Sequence, residues 1–560
     1  MLASFLRAAL SFVLDLTAWF FKGGLFLNGV AWDGVNYVAV GNDGIIIRSA
    51  DLVSWRPIPG GVTSTLNAIT WSGTQFVAVG ISGVILTSPD GITWTTRTSG
   101  TTSSFNGVVW SGTQFVAVTS LGGIRTSPDG VTWTSRTASA IFRSVAWSGS
   151  IFVAVGSSGS TFTSPTGVTW TSQSNGTTEL DCVVWSGTQF VAVGDGGVIR
   201  TSPDGITWTL RTSGTTIDLA TISWSGTQFV AGGNNIFLTS PDGVTWTTRT
   251  VSGIKFTRAS LWDGSRFALV GQNGIVLSSA DGITWISHIE GTGTDNLPAI
   301  AWTGSLFVSL SVSAGGTYYT SPDGEYWTQR NMTSASLRGL FWSGNLLVAV
   351  GLAGQIRTSP DGITWTSRTS GTTQNLFSVA RSGTLFVAVG DTGTILTSTD
   401  GTTWTSRSNP ATAVLSTVAW SGTQFVAAGN SSLILTSPDG ISWTQRSFAA
   451  AMDFYDVTWG NGRFVAVGYD GTAATGSIAS SFDGITWTQH AVGLYPELFS
   501  VRFFRGKFYA VGLAGTLISS ADGVSWSLLP TGVNIRLLGI ADSGGRVVLV
   551  GNQGLTLTTK

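Results

Sequence analysis

The chain has 560 residues, only 10% of them charged, and its 28 basic and 29 acidic residues leave a net charge of −1. That balance provides no basic field for nucleic acid, and a single cysteine excludes an internal disulfide framework. Two histidines are too few for a His-rich metal centre or for repeated Ser-His-Asp machinery, so neither metal nor cofactor is expected.

Residues 1–24 stand apart from everything that follows. Met1 to Leu16 is apolar, with Arg7 and Asp15 interspersed. The uncharged run Ala8 to Leu14 is at the short end for a secretory signal, and Asp15 would lie inside any membrane-spanning helix. Neither a cleaved signal nor a membrane anchor is favoured, and the segment reads as one that docks on other protein subunits. Leu16 to Phe20 has the look of an outer strand, with Trp19 as its leading aromatic.

From Trp32 the sequence repeats. Trp32, Trp71, Trp110, Trp147, Trp185, Trp224, Trp262, Trp302 and Trp342 follow one another at steps of 37 to 40 residues, and Arg381, Trp420, Trp459, Phe503 and Asp542 continue the series. Within the second of these fourteen units, strands are expected at Leu66 to Trp71 (a), Gln75 to Val79 (b), Val84 to Thr87 (c) and Ile92 to Arg97 (d). Ser72-Gly73-Thr74 and Ser88-Pro89-Asp90-Gly91 supply the tight turns, where Pro presets φ, Asp bonds nearby amides and Gly accepts positive φ. No helical periodicity interrupts the units. Four short strands per unit of about 39 residues is the build of an all-β propeller blade.

Fourteen blades exceed the usual ring, so the expected architecture is two seven-bladed propellers, at 28–291 and 292–560, preceded by residues 1–27. The break falls in the loop-like stretch 290–298. The spacing from Trp285 to Trp302 is barely longer than its equivalents, which keeps a single large ring open as the alternative. The last unit has strands a, b and c (Leu537 to Ile540, Val547 to Val550, Gly554 to Thr558) and then Lys560. An unpaired edge there is a liability. The N-terminal strand at Trp19 is expected to complete that blade.

The motif Ser88-Pro89-Asp90-Gly91-Ile92-Thr93-Trp94 resembles the Asp-box, or BNR, repeat found between the third and fourth strands of many propeller blades. Related copies place Asp129, Asp204, Asp242, Asp323, Asp361 and Asp439 at the same turn position, while Thr166 replaces the Asp in the fourth copy. The usual box, S-x-D-x-G-x-x-W, has one residue more between Asp and Gly. The resemblance covers nearly the whole chain and implies the fold; its relatives include sialidases, two-propeller xyloglucan hydrolases, sortilin-type receptors and photosystem assembly factors, so it does not fix an activity.

Catalytic residue types are scarce. Only four glutamates occur, and twelve of the 25 aspartates belong to the repeated turn. His288 and His490 read as exposed residues of outer strands, and Cys182 as a small buried hydrophobe. Asp181, Asp218, Asp295 and Asp391 fall outside the turn and meet on one face if they meet at all. In a propeller the a–b and c–d turns share one face and the b–c and d–a connections the other. The first face is nearly invariant here; the second varies, as a binding surface on a rigid scaffold would. Arg143, Asp218, Lys255, Tyr455, Tyr469, Asp470 and Tyr495 on that face are the candidate binding residues, and the long b–c segment Tyr469 to Ala479 is the expected recognition loop. The sequence therefore reads as a non-enzymatic binding or structural protein, of a phage virion or a cell surface, presenting loops to a receptor or glycan. A glycan-active hydrolase of the two-propeller type is the alternative.

Overall fold

The chemistry of one turn accounts for the repeat. In the second unit the Ser88 hydroxyl donates to Asp90 Oδ1 (3.0 Å) and accepts the Gly91 N–H (2.8 Å). Asp90 Oδ1 also takes the N–H groups of Ile92 and Thr93, both at 2.8 Å. These two backbone donors hold the Asp90 carboxyl below its ordinary range. They also keep Ile92 to Trp94 in the turn, so that strand d is only Thr95–Arg97, shorter than the sequence predicts. Asp129, Asp204, Asp242, Asp323, Asp361 and Asp439 repeat the arrangement.

The same turn seats each blade on the one before it. Gly91 has φ +68°, and a Cβ there would lie 2.8 Å from Val38 Cγ2 of the preceding blade. In the other direction Gln75 Nε2 donates to the Asp129 carbonyl of the next turn at 2.7 Å. Gln114, Gln189 and Gln228 make the same bond, each at 2.6 Å, to Thr166, Asp242 and Asp281. The S-G-T-Q and S-P-D-G motifs are thus the two halves of an inter-blade joint.

A computed structural model describes residues 19–21, 24, 26–173, 175–249, 256–289, 296–312, 315–333, 335–490 and 494–559. It contains fourteen four-stranded antiparallel sheets, thirteen of them in sequence order and one completed from the N-terminus. In blade 2 the strands are Leu66–Trp71, Phe76–Gly80, Ile85–Ser88 and Thr95–Arg97, with Trp71 opposite Phe76 and Ile85 opposite Arg97. Strand b is buried along its whole length. The cores lie between blades: Ala31, Val38 and Val40 of blade 1 pack with Leu66, Ile69, Phe76 and Ala78 of blade 2. Gly83 in the b–c turn has φ +75°, and a Cβ there would meet the Thr101 carbonyl at 1.9 Å, which packs the b–c turn against the d–a connection.

Two compact units result, one made of residues 23–291 and the other of 1–22 with 292–560. Each is a closed ring of seven blades. In the first, the inner strand Leu27–Trp32 of blade 1 neighbours Thr257–Trp262 of blade 7. There the Tyr37 hydroxyl donates to Asp263, and Arg266 Nε donates to the same hydroxyl at 3.3 Å. Burial and the Asp263 bond push the Tyr37 phenol up to about 12. In the second ring, Leu297, Ile300 and Phe307 of blade 8 share a core with Val548 and Val550 of blade 14, and Arg546 pairs with Glu325. The single large ring is excluded.

Blade 14 is composite. Its strands Leu537–Asp542, Val547–Gly551 and Thr556–Thr558 are joined by Phe20–Phe21, with Phe20 opposite Thr558 and Phe21 opposite Leu557. Trp19, Phe20 and Phe21 are all buried. Of the expected docking segment, residues 1–24, residues 1–18, 22 and 23 lie outside the described residues.

Two outcomes follow from these contacts. Phe21→Ala, at a fully buried position, should cost about 3–5 kcal/mol, and chemical denaturation with domain-resolved proteolysis should show the loss in the 292–560 unit while 23–291 stays resistant. Thr166 offers only its hydroxyl, to the Val168 N–H at 3.3 Å. Thr166→Asp should restore the missing turn bonds and raise the melting temperature, by about 1 kcal/mol of stability.

Candidate functional site

The inner strands carry a recurring logic at their second residue, which reaches the next blade. Asn28 Nδ2 donates to the Leu66 carbonyl (3.1 Å), Asn67 to Phe105 (2.7 Å) and Asn106 to Phe142 (2.6 Å). At blade 4 the ladder changes chemistry. Arg143, in Phe142–Trp147, binds Glu179 through Nε (2.7 Å) and Nη2 (2.6 Å). Arg143 is therefore a strand residue with a partner, where the sequence placed it in a loop.

At the entry to several inner strands a side chain works backwards. Asp218 Oδ1 accepts the Gly196 N–H (2.7 Å), Asn375 Oδ1 the Ala353 N–H (2.9 Å) and Asp453 Oδ1 the Ser431 N–H (2.7 Å), each in the b–c turn of the blade before. Asp218 thus pins a loop. Asp391, another carboxylate outside the repeated turn, accepts from Asn375 Nδ2 at 2.7 Å. Lys255 and Asp295 lie outside the described residues.

Around blade 5 the structure gathers Glu179, Asp181, Asp195 and Asp218. Burial, then the charges of Asp195 and Glu179, push the Asp181 carboxyl up to about 6; Asp195 is also raised, by burial and then by Asp218. The Arg143 charge opposes both shifts. The sequence flagged Asp181 and Asp218 as loop carboxylates but missed Asp195 and Glu179, which follow from the fold rather than from spacing.

In the second unit the inner strands surround a cavity of about 410 Å³. Arg338, Phe377, Phe499 and Leu538, the second residues of their strands, line it, together with Tyr455, Arg381 and Arg502. Tyr455 lies in Met452–Gly460; its hydroxyl donates to Glu497 Oε1 at 2.8 Å, and its ring stacks on Phe499 at 5.9 Å and 12°. Burial and Glu497 raise the Tyr455 phenol well above its ordinary value. Asp456 ties three blades together: Oδ1 accepts from the Thr417 hydroxyl (3.1 Å), and Oδ2 from Ser500 Oγ (2.9 Å), the Val501 N–H (3.0 Å) and Arg502.

The expected recognition loop, Tyr469 to Ala479, is mostly sheet. Strands Arg463–Asp470 and Thr475–Ser481 extend the b–c hairpin of blade 12, with Tyr469 opposite Gly476 and Asp470 opposite Thr475. Asp470 is buried and makes the turn itself: Oδ1 accepts the N–H groups of Thr472 and Ala473 (2.8 Å each) and Oδ2 the Gln489 amide (2.9 Å). Tyr495 donates to the Trp526 carbonyl at 3.0 Å and packs on the blade 12–13 core. Tyr469 and Tyr455 remain on the face of the ring where the hairpin rises.

The histidines are not the exposed residues that the sequence implied. Both are half-buried, with Nε2 bonded to Ser278 (2.7 Å) and Ser480 (2.8 Å), where most blades place an arginine on a threonine, as Arg97 on Thr87 at 2.9 Å. Burial pushes both below the ordinary imidazole value. Cys182 packs against the core between blades 5 and 6, and burial pushes its thiol up. Among the described residues no group of three or more His, Cys, Asp or Glu could hold a metal ion, and no helix is long and apolar enough to cross a membrane.

A family model described as a DUF6242 beta propeller domain matches residues 438–560. Among solved structures the chain is similar to PorZ, a bacterial surface component of the type-IX secretion system of Porphyromonas gingivalis, at 11% identity over 97% of this chain and 86% of that one, with a TM-score of 0.62. It is also similar to a GH74 xyloglucanase from Xanthomonas campestris (14% identity, 97% and 99% covered, TM-score 0.65) and to an ancestral GH74 enzyme (11%, 97% and 99%, 0.66). The chain is a tandem β-propeller. No curated protein sequence matches it. At these identities the likeness speaks for the fold.

The raised Asp181 gives this site a pH signature. A carboxyl whose folded pKa is about 6 contributes stability that is complete below its unfolded value near 3.8 and is lost as pH rises through 6. Asp181→Asn should therefore stabilise the 23–291 unit by about 1 kcal/mol at pH 8 and have little effect at pH 4. Thermal melts of the two proteins at both pH values check this.

Proposed function

We propose that this tandem propeller is a non-enzymatic binding scaffold. Its ligand, a receptor or cell-surface glycan, sits at the mouth of the cavity in the 292–560 ring, beside the raised hairpin of blade 12. The observation that carries the reading is the aromatic wall of the cavity. Phe377, Tyr455 and Phe499 line it beside Arg338 and Arg381, while Arg502 is held by Asp456 and Glu497 by Tyr455. Aromatic walls with a few placed polar groups suit binding. Work at a surface, as a virion or adhesion component without cofactor, fits the rigid and repetitive build, and the likeness to a secretion-system surface component supports a surface setting.

A hydrolase reading has one specific observation in its favour. Asp181, held protonated to about pH 6 beside Asp195, has the character of a general acid, and the fold is shared with GH74 enzymes. The two readings part in one experiment. Glycan and receptor-ectodomain arrays should give binding by the native chain that falls about tenfold in Tyr455→Ala and in a variant whose 469–479 hairpin is cut to the ordinary turn. Binding unaffected by both changes would remove the site from the cavity mouth. Release of reducing ends from xyloglucan that disappears in Asp181→Asn would replace the scaffold with the hydrolase. Co-purification with phage particles supports the virion setting, and absence from them removes it.

A further inference from the structure

The fourteen units provide their own internal comparison, and blade 12 alone combines three residues, at positions that converge in space, of which Phe482 occurs in no other copy. At the second position of its c–d turn stands Phe482, where the other copies have Pro, Ala or Thr. At the start of strand b stands Arg463, in place of the glutamine common in the first unit. On strand d, His490 sits on Ser480, where the neighbouring blade has Arg446 on Thr436 at 2.8 Å. Replacing an Arg–Thr pair by His–Ser removes side-chain volume. The space left is a pocket of about 190 Å³ lined by Arg463, Ser480, Phe482, Asp483, Thr486 and His490.

Its walls are arranged for a ligand rather than for packing. Phe482 is 69% exposed even with the Arg463 side chain lying over its ring. The Arg463 guanidinium lies 4.1 Å from the centre of that ring and donates through Nη1 to Ser480 Oγ at 3.1 Å. Ser480 Oγ is in turn 2.8 Å from His490 Nε2. The result is an aromatic platform beside a guanidinium, an imidazole, two hydroxyls and a carboxylate. Asp483 is the turn aspartate, its Oδ1 taken by the N–H groups of Ile485 (2.9 Å) and Thr486 (2.8 Å), and it is held ionised below the ordinary carboxylate range. Blade 7 shows that the His–Ser pair alone is insufficient. His288 binds Ser278 there, but Ala280 stands in the turn and Arg266 is turned to Asp263 and Tyr37.

We infer that the pocket formed by Arg463, Phe482 and His490 on the turn face of blade 12 is a binding site for one uncharged pyranose unit of a glycan. The apolar face of the sugar lies on Phe482, and its hydroxyls exchange hydrogen bonds with Arg463, His490 and the Asp483 carboxylate. A ring-shaped ligand with an apolar face and hydroxyl edges matches a phenyl platform flanked by both donors and an acceptor. The opposite charges of Arg463 and Asp483 offset one another in the pocket, which suits an uncharged sugar better than an acidic one. The site lies on the c–d turn face, away from the cavity mouth, and does not depend on the function proposed above.

Saturation-transfer NMR of the full chain with methyl glucoside, methyl galactoside, methyl mannoside and glucuronate is the test. At least one neutral glycoside should bind, and glucuronate should bind more weakly. Phe482→Pro and His490→Arg each restore the residue used by other blades, so both should keep the native melting temperature while weakening binding about tenfold or more. Absence of binding by all three neutral glycosides overturns the assignment. So does binding that survives in both variants, or a preference for glucuronate. Binding lost in Tyr455→Ala but kept in Phe482→Pro moves the sugar to the cavity and likewise overturns it.

Discussion

Everything in this molecule depends on how one blade is seated on the next. A blade is a small sheet that cannot bury its own hydrophobic surface, so stability comes from the interfaces. Those interfaces close only because the turn glycine, as at Gly91, carries no side chain where Val38 of the preceding blade arrives. The aspartate beside it collects two backbone N–H groups and shapes the turn, and the glutamine of the a–b turn reaches the next carbonyl along the ring. One short motif thus sets both the hairpin within a blade and the spacing between blades. The turn face can vary little as a result.

The opposite face is where the chain spends its variation, yet much of that variation also serves the ring. Near the start of several inner strands one side chain reaches forward to the next blade and another reaches back. Asparagine does this with backbone carbonyls in blades 1 to 3; Arg143 with Glu179 and Tyr455 with Glu497 do it with charge-assisted bonds. In the first ring this leaves Asp181 and Asp195 with carboxyls raised above their ordinary range. In the second it leaves an aromatic-walled cavity, because Phe377, Phe499 and Leu538 stand where the first ring has polar groups.

The blades were legible in the sequence because each is a local unit with its own turn signals, and strand limits shifted by only a residue or so in blade 2. Strand d was read too long because Asp90 captures the amides of Ile92 and Thr93. The closing strand was legible from Trp19 and the missing fourth strand, and two seven-bladed rings were expected from the usual blade number, with closure of a single large ring left open as the alternative. The choice between them depends on Tyr37 meeting Asp263 across the first ring, a contact between distant units with no local signature. Site residues were the least legible. Variable positions such as Asp470 and Tyr495 looked like ligand contacts and are hydrogen-bonded within the fold, whereas Asp195 and Glu179 matter through neighbours that the folded blade and the one beside it bring near.

The composite blade has a bearing on how the protein comes into being. Residues 23–291 close on themselves with whole blades, whereas the ring of 292–560 borrows Phe20–Phe21 from the far side of that insertion. During vectorial synthesis the borrowed strand emerges before the fourteen inner strands, and its partner strand Thr556–Thr558 emerges after all of them. The first ring can mature while the second is still being translated, but the second must hold its apolar closing residues in reserve until Thr556–Thr558 has been made. The interval between those two events is when this protein is most exposed to misassembly and most in need of chaperoning.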